Sequence, residues 1–438
     1  MQLPKSLLFF AVQSGIALGQ SNSTNSTSDV GFLPLSTDDY FSFVLFEVLS
    51  QANGGGTATG EVMRAAAKIE PGNYESYYNE FKFLGDSLHD IAISINATKF
   101  PVSAREAYFR AASYYRTSVF FLTGNQTDPR LFDTWDIALA DFDRAIPLTD
   151  VKGERVTVKG PGFDIPVIFW KSPKAAKGNG SVPTILVGSG YDAPQEESYH
   201  ALGREVLDRG WNFVTYEGPG QPTVRRQQAL GFIPNWWDVV TPVMDYLETR
   251  PEVDIKRVAL GGLSFGGILA PLAASREHRL AAVLAIDGLY DLQKVIMDAL
   301  PPSKIQLYEN GNRTAFDAYM NGLRVSPQAP TMAKWFVDQG LWSFNTESPY
   351  DWLKRLGAIV LDADILNNVT CPVFVGKGQN DDLVGGQEQE VVDLLGSKAY
   401  FYEFKTALGA GAHCQLGAEP QLAQATMDWV AEVFEAVV

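Results

Sequence analysis

The hydrophobic pattern of the chain changes its period near Arg155. Over residues 38–147, apolar residues recur at every third or fourth position, which is typical of one face of an amphipathic helix. The first such stripe begins behind Asp38, a residue type that often starts helices. We predict four to six helices over this stretch, with breaks near Gly54-Gly55-Gly56 and at Gly124-Asn125.

After Arg155 the apolar residues come in short runs that are typical of strands. Residues 156–158 and 165–170 predict a hairpin, and a helix is predicted between the next two strands, at about 197–209. The further predicted strands are 184–187, 213–216, 258–260, 283–286, 373–375 and 399–404. Alternating strands and helices predict a mostly parallel, eight-stranded α/β sheet with helices on both faces.

A long insertion, at about 294–370, separates the sixth and seventh predicted strands and is rich in aromatic residues. These residues either form a small core within the insertion, or some of them face a binding site as an apolar lid. They are Tyr308, Phe316, Tyr319, Trp335, Phe336, Trp342, Phe344, Tyr350 and Trp352.

The amino terminus has the pattern of a signal peptide. Lys5 supplies the positive charge, residues 6–16 are mostly apolar, and the small residues of 17–19 precede Gln20. The alternative is a buried first helix. We expect a leader at 1–19, a helical amino-terminal domain at 20–150 and a catalytic domain at 151–438 that contains the insertion. The apolar run is too short to span a bilayer, so no membrane anchor is expected after cleavage.

Glycosylation acceptors provide a second, independent indication of secretion. The chain has seven Asn-x-Ser/Thr sequences. One such sequence could arise by chance, whereas seven behind a leader indicate a glycosylated protein. The acceptors are Asn22, Asn25, Asn96, Asn125, Asn179, Asn312 and Asn368. We therefore expect a glycoprotein that is secreted or retained in the lumen of the secretory pathway.

Composition and charge restrict the classes of partner that the chain is expected to bind. Its 438 residues are 46% hydrophobic and 20% charged, as in ordinary globular proteins. A net charge of -16 opposes nucleic-acid binding. Four histidines and two cysteines, none at metal-ligand spacing, lead us to expect no metal, and we expect no cofactor. A small-molecule substrate is expected, and a homodimer is left open.

The two cysteines are expected to be free. Cys371 opens a predicted core strand, whereas Cys414 lies beyond the far end of the neighbouring strand. At about 3.3 Å per residue those positions are roughly 15 to 20 Å apart, which exceeds disulfide reach.

A serine motif supplies the candidate nucleophile. Gly262-Leu263-Ser264-Phe265-Gly266 follows the predicted strand 258–260 and precedes an Ala/Leu-rich helical segment. A G-x-S-x-G sequence alone is a weak signal, but between a strand and a helix it predicts a nucleophile elbow, in which small neighbours permit strained serine geometry. We predict that Ser264 is the nucleophile.

The base and the acid follow from their positions along the chain. A serine hydroxyl needs a base, and of the four histidines only His413 follows the last predicted strand. The acid should end the preceding strand, which selects Asp381. Asp382 is the neighbouring alternative, and Asp287, which ends the strand after the nucleophile, is a third candidate.

An oxyanion hole requires two backbone N–H groups. One is expected from Phe265, directly after the nucleophile. The loop after strand 184–187 supplies the other, which we assign to Tyr191, with Gly190 as the alternative.

Several stretches together resemble the 2,6-dihydroxypseudooxynicotine hydrolase group of α/β hydrolases and its fungal relatives that process polyketides. They are the helical segment 105–116, Gly190-Tyr191-Asp192 with Glu196-Glu197, the segment 217–221, the serine elbow and the segment 411–415. The resemblance covers about residues 100–415 and implies that the helical domain closes over the site. It also implies cleavage of a ketone-flanked carbon–carbon bond or an ester in an aromatic or polyketide substrate. Ser264, Asp381 and His413 match the triad positions of that group.

Two other functions are weighed against this one. A general esterase or peptidase of the same fold would share the elbow and the triad order. A non-catalytic binding protein would usually have lost a triad residue, whereas all three candidates are present. An enzyme is therefore favoured.

Overall fold

The computed structural model describes residues 33–176, 180–288, 290–381, 383 and 386–436. The predicted leader and three acceptors, Asn22, Asn25 and Asn179, lie outside the described residues. So does Asp382, the neighbouring candidate for the catalytic acid.

The described residues ahead of the first strand form five α-helices, as the 3.6-residue period predicts. Asp38 caps the first helix by accepting a hydrogen bond from the N–H of Phe41 at 2.9 Å. Gly55, at φ +79°, ends the turn that follows this helix. The helices are α1 (Asp39–Ser50), α2 (Thr59–Ala66), α3 (Tyr74–Ser94), α4 (Pro101–Ser118) and α5 (Arg130–Ala145), with 3-10 turns at Gln51–Gly54 and Ile146–Leu148.

The remaining described residues include an eight-stranded sheet with the order β1-β2-β4-β3-β5-β6-β7-β8. The pairs β1–β2 and β2–β4 are antiparallel, and the other pairs are parallel. The strands are β1 (Gly153–Lys159), β2 (Asp164–Trp170), β3 (Val182–Gly188), β4 (Asn212–Tyr216), β5 (Val253–Leu263), β6 (Ala282–Ile286), β7 (Val373–Gly378) and β8 (Ala399–Phe404). The predicted fold class is confirmed.

Strand β5 begins earlier than the predicted segment 258–260. Its first half carries Asp254, Lys256 and Arg257, which are partly or fully exposed, so no apolar run marks it. Pairing with β3 extends the strand back to Val253. Hydrogen bonding along the sheet therefore overrides the local hydrophobic pattern at this end.

Helices pack on both faces of the sheet. The predicted helix at 197–209 consists of α7, a π-helical turn at Tyr199–Gly203 and α8. The helices are α6 (Pro173–Ala176), α7 (Gln195–Ser198), α8 (Arg204–Asp208), α9 (Pro222–Gln228), α10 (Trp237–Glu248), α11 (Gly266–Ala274), α18 (Glu388–Leu395) and α19 (Glu419–Ala436). None of the helices in the described ranges has the length and apolar character needed to cross a membrane.

The insertion is helical and buries most of its aromatic side chains within itself and against its neighbours. Of these aromatics, only Trp335 lines the cavity described below. Its indole ring stacks on Phe120 at a centroid distance of 4.9 Å, so the insertion packs on the amino-terminal helices. Its helices are α12 (Leu292–Asp298), α13 (Pro302–Glu309), α14 (Arg313–Val325), α15 (Thr331–Ser343), α16 (Pro349–Leu356) and α17 (Ala363–Asn367).

The amino-terminal helices and the sheet domain meet along a tight seam. Nδ1 of buried His200, in the π-helical turn, lies 3.1 Å from the carbonyl oxygen of Gly54. A Cβ atom at Gly54 would lie 1.9 Å from the backbone oxygen of His200. Only glycine permits this approach.

Candidate active site

Ser264 occupies a sharp turn between β5 and α11. Its φ of +59° is in the left-handed region, which is strained for a residue with a side chain. The turn is held by a hydrogen bond of 3.1 Å from the Ser264 N–H to the carbonyl oxygen of Ile286. A Cβ atom at Gly262 would lie 1.9 Å from the backbone oxygen of Gly266, so the motif glycine is sterically required.

The structure brings Ser264, His413 and Asp381 into one hydrogen-bonded row. Nε2 of His413 lies 2.8 Å from Oγ of Ser264, and Nδ1 lies 2.7 Å from Oδ2 of Asp381. Asp381 follows β7, and His413 stands in a short 3-10 turn after β8, so parallel strands deliver both side chains to the same edge of the sheet. The arrangement allows His413 to accept the hydroxyl proton while Asp381 orients the ring.

Two opposing effects act on the pKa of the buried His413 imidazole. Burial favours the neutral ring and lowers this pKa, whereas the nearby Asp381 carboxylate favours the charged ring and raises it. The carboxylate dominates, and the pKa of His413 lies well above its usual range. Asp381 therefore raises the proton affinity of the ring.

Asp287, the third candidate for the acid, does not contact the His413 ring through a hydrogen bond. Its carboxylate accepts hydrogen bonds from the N–H of Gly378 at 2.7 Å, from the N–H of Cys414, and from Nε2 of Gln415 at 3.3 Å. Burial, together with the charge of Asp381, raises the pKa of Asp287 to about 7. The geometry thus gives Asp287 a supporting position beneath the two loops that carry Asp381 and His413.

The loop after β3 lies directly against Ser264. A Cβ atom at Gly190 would lie 3.0 Å from both the backbone nitrogen of Phe265 and Cβ of Ser264. Across the described residues, the backbone N–H groups of Phe265, Gly190 and Tyr191 have no protein acceptor, which leaves them available to a substrate oxygen. Both N–H groups assigned to the oxyanion hole therefore belong to segments beside Ser264.

Two glutamines hold that loop in place. Gln221 donates to the carbonyl oxygen of Ser189 at 2.7 Å, and Gln339 donates to that of Tyr191 at 3.1 Å. The first glutamine belongs to the segment 217–221 that the sequence resemblance includes. The second was not predicted, because Gln339 lies in the insertion, where no motif marks it.

A cavity opens above Ser264, and the empty space in it, including its opening to solvent, is about 980 Å³. Its wall is mainly apolar and is contributed by α1, the loop after β3, the insertion and α19. The apolar lining consists of Tyr40, Phe43, Phe120, Tyr191, Ala193, Ala201, Leu263, Trp335, Leu383, Leu416 and Leu422. Its mainly apolar character suits an organic substrate with apolar surface.

A buried ion-pair cluster borders this cavity and was not predicted. Arg116, in α4, lies 3.1 Å from the Asp192 carboxylate and 2.7 Å from that of Glu197. Glu47, in α1, also lines the cavity. The pKa of Glu47 is raised to about 8, mainly by burial and additionally by the negative charges of Asp192 and Glu197.

Asp287, His413 and Cys414 place one ligand-type atom each within 4.8 Å of one another. Both ring nitrogens of His413 already form hydrogen bonds, and Asp287 accepts backbone N–H groups, so a metal ion would have to displace these partners. The expected absence of a metal stays a prediction. Cys371 and Cys414 are both free, as predicted.

Known hydrolases resemble this chain over nearly its whole length, although no protein-family model matches it. The α/β hydrolase gkaG of Penicillium citrinum is 30% identical over 429 residues, which cover 92% of this chain and 98% of the relative. The 20-hydroxy-prefusarin hydrolase FUS2 of Gibberella moniliformis is 27% identical over 414 residues, or 90% and 97% of the two chains.

Among solved structures, that of 2,6-dihydroxy-pseudo-oxynicotine hydrolase superposes with a TM-score of 0.68 at 19% identity, covering 88% of this chain and 95% of the other. At that identity the likeness concerns the fold. The similarity to gkaG extends along nearly the whole length of both chains. The chain therefore belongs to the α/β hydrolases.

Proposed function

We propose that this protein is a serine hydrolase that cleaves a ketone-flanked carbon–carbon bond, or an ester, in an aromatic or polyketide-type substrate. The observation that carries the proposal is the hydrogen-bonded row Ser264–His413–Asp381 at the base of an apolar cavity. The row supports nucleophilic catalysis, and the cavity supports an apolar substrate.

In this mechanism Ser264 Oγ attacks a substrate carbonyl carbon while Nε2 of His413 takes the hydroxyl proton. The backbone N–H groups of Phe265 and Tyr191 stabilise the resulting oxyanion. When the tetrahedral intermediate collapses, His413 returns the proton to the leaving group and the acyl group remains on Ser264. Water, deprotonated by His413, then releases the acid and regenerates the serine.

The leaving group explains the preference for a 1,3-dicarbonyl compound. Cleavage of a carbon–carbon bond leaves negative charge on carbon, and a neighbouring carbonyl spreads that charge as an enolate. The same residues would also cleave an ester, because its alkoxide leaving group carries the negative charge on oxygen and needs only a proton. The preference for cleavage of a carbon–carbon bond rests on the resemblance of segments such as 105–116 to carbon–carbon hydrolases. One relative is named as a 20-hydroxy-prefusarin hydrolase.

The decisive experiment compares purified wild type with Ser264→Ala on 1,3-diketones, aryl esters and peptides. We expect a carboxylic acid and a ketone from the diketone, and an acyl-enzyme mass on intact wild-type protein. Peptide cleavage faster than that of any diketone or aryl ester, abolished in Ser264→Ala, would favour a peptidase instead. Ligand binding without turnover of any class would favour a non-catalytic binding protein.

We further propose that the protein is secreted and glycosylated. The four acceptors in the described ranges, Asn96, Asn125, Asn312 and Asn368, are all exposed, which supports access by a glycosylating enzyme. At Asn368 the side-chain amide donates to the carbonyl oxygen of Asp364 at 2.6 Å, so a glycan there would displace a bond made by the folded chain.

A further inference from the structure

Helix α1 presents two different faces to its surroundings. One face is apolar and buried and carries Phe41, Val44, Leu45 and Val48. A second stripe, which recurs at helical spacing, lines the cavity above Ser264 and consists of Tyr40, Phe43, Glu47, Ser50 and Gln51. At 1.5 Å per residue this stripe extends about 16 Å along the cavity.

Three polar groups of that stripe have no partner among the described residues. The Tyr40 side chain is 5% exposed, yet its hydroxyl forms no hydrogen bond. The Glu47 carboxyl group has neither a hydrogen bond nor an ion pair, and Oε1 of Gln51 is buried without a donor. Buried polar groups are normally satisfied within the protein. The buried Oε1 of Gln51, together with a carboxyl and a hydroxyl group that line the same cavity wall without partners in the described part of the chain, therefore indicates that a ligand satisfies them.

The other carboxylates at the cavity have partners in the protein. Asp192 and Glu197 pair with Arg116, and Glu419 accepts a hydrogen bond of 2.5 Å from Nδ2 of Asn53. Glu47 is thus the carboxyl group at this cavity that is left for substrate.

We infer that Tyr40, Glu47 and Gln51 recognise a hydrogen-bond-donating group of the substrate, a hydroxyl or an ammonium group, at a distance from the carbonyl attacked by Ser264, and that Glu47 determines this specificity. The inference rests on the proposed hydrolase function. Oε1 of Gln51 only accepts hydrogen bonds, and the carbonyl oxygen of the Glu47 carboxyl group accepts in either protonation state, so the complementary group is a donor.

The charge balance around the wall disfavours anionic substrates. Four carboxyl groups, those of Glu47, Asp192, Glu197 and Glu419, line the cavity, and Arg116 is the cation paired with two of them. Above about pH 8, where Glu47 is ionised, a substrate carboxylate placed among them would meet like charge at low local dielectric. The expected order of substrate terminal groups is therefore hydroxyl or ammonium first, methyl next and carboxylate last.

The test uses p-nitrophenyl esters of equal chain length whose acyl ends carry methyl, hydroxyl, ammonium or carboxylate groups. The readout is the ratio of kcat/KM for the hydroxyl or ammonium ester to that for the methyl ester. We expect a ratio of about ten or more in wild type, which falls to near one in Glu47→Gln. Asp39→Asn, which removes an exposed carboxylate from the same helix, is the matched control and keeps the wild-type ratio.

Tyr40→Phe supplies a second, independent variant and should lower the same ratio by a smaller factor. An unchanged ratio in Glu47→Gln, or a wild-type preference for the methyl or carboxylate ester, would overturn the inference. Calorimetric binding of the four esters to Ser264→Ala measures the same preference without turnover. If no ester is hydrolysed, the ester branch of the proposed function fails, and the binding order still decides the recognition.

Discussion

The buried carboxylate of Asp287 accepts a hydrogen bond of 2.7 Å from the backbone N–H of Gly378, the last residue of β7. The same carboxylate accepts from the N–H of Cys414, next to His413. One side chain thereby links the loop that carries Asp381 to the loop that carries His413. The link lies outside the hydrogen-bonded row Ser264–His413–Asp381, and under the proposed mechanism it supports the alignment of Asp381 with His413.

Replacement of Asp287 should therefore lower kcat more than it raises KM. Loss of a charged hydrogen bond is worth about 1.5–3 kcal/mol, or about 10- to 150-fold in rate if the whole effect appears in the transition state. We expect Asp287→Asn to fall in this range and Asp381→Asn to lose about 10⁴-fold. Steady-state kinetics on one aryl ester measures both, and a larger loss in Asp287→Asn would reverse the two assignments.

Ser264→Ala and His413→Ala should each lower kcat by about 10⁶-fold, because the groups of a triad act as a unit. The double variant should lose little more than either single one. Thermal unfolding should stay close to that of wild type, since neither change opens a large cavity. Residual turnover by Ser264→Ala, in preparations free of contaminating hydrolase, would refute the role of the serine.

The acid limb of the pH–rate profile should depend on Asp381. The base acts as a neutral imidazole, so activity falls as pH falls through the pKa of His413. Burial lowers that pKa and the Asp381 carboxylate raises it. Asp381→Asn removes the effect that raises the pKa, so the limb should move to lower pH in plots of kcat/KM. A shift to higher pH would contradict the assignment.

Arg116 should contribute strongly to stability. Its buried guanidinium is the partner of both Asp192 and Glu197, so Arg116→Met leaves two carboxyl groups, which are only 23% and 13% exposed, without a cation. We expect the free energy of unfolding in urea to fall by about 3–5 kcal/mol.

Arg64→Met is the matched control for Arg116→Met. The Arg64 side chain is 32% exposed, against 10% for Arg116, and the loss of its pair with Glu80 should cost about 1 kcal/mol or less. Arg116→Lys should give an intermediate loss, since a single ammonium group does not reproduce the two-sided geometry of the guanidinium. Equal losses of unfolding free energy in Arg116→Met and Arg64→Met would show that the cluster around Arg116 contributes no more to stability than the Arg64–Glu80 pair.

Expression in a eukaryotic host with the full chain should place the protein in the culture medium as a glycoprotein. Enzymatic removal of N-glycans should lower its mass, and Asn96→Gln, Asn125→Gln and Asn312→Gln should each remove one step from that difference. Thr98→Ala destroys the acceptor sequence but keeps the asparagine at 96, so it should remove the same step as Asn96→Gln. An intracellular, unglycosylated product would refute secretion.

The sequence predicted those features whose signals are local. The serine elbow is contiguous, and His413 and Asp381 are identified by their positions after predicted strands. The cluster around Arg116 has no such signal, because its contacts join α4 to residues 76 positions away in the chain, such as Asp192. The unpaired state of Glu47 depends on where whole helices pack, which periodicity does not specify.

The close approach of Gly54 to His200 bears on how such proteins diversify. A side chain at Gly54 would overlap the backbone oxygen of His200. The helices before the sheet therefore pack against the sheet domain with no room for an added side chain at this contact. We therefore expect that recombination at the domain boundary, which would combine these helices with the sheet domain of a relative, would disturb this contact. Substrate range is therefore expected to evolve through side-chain changes on the cavity face of α1, with the joint between the two parts inherited intact.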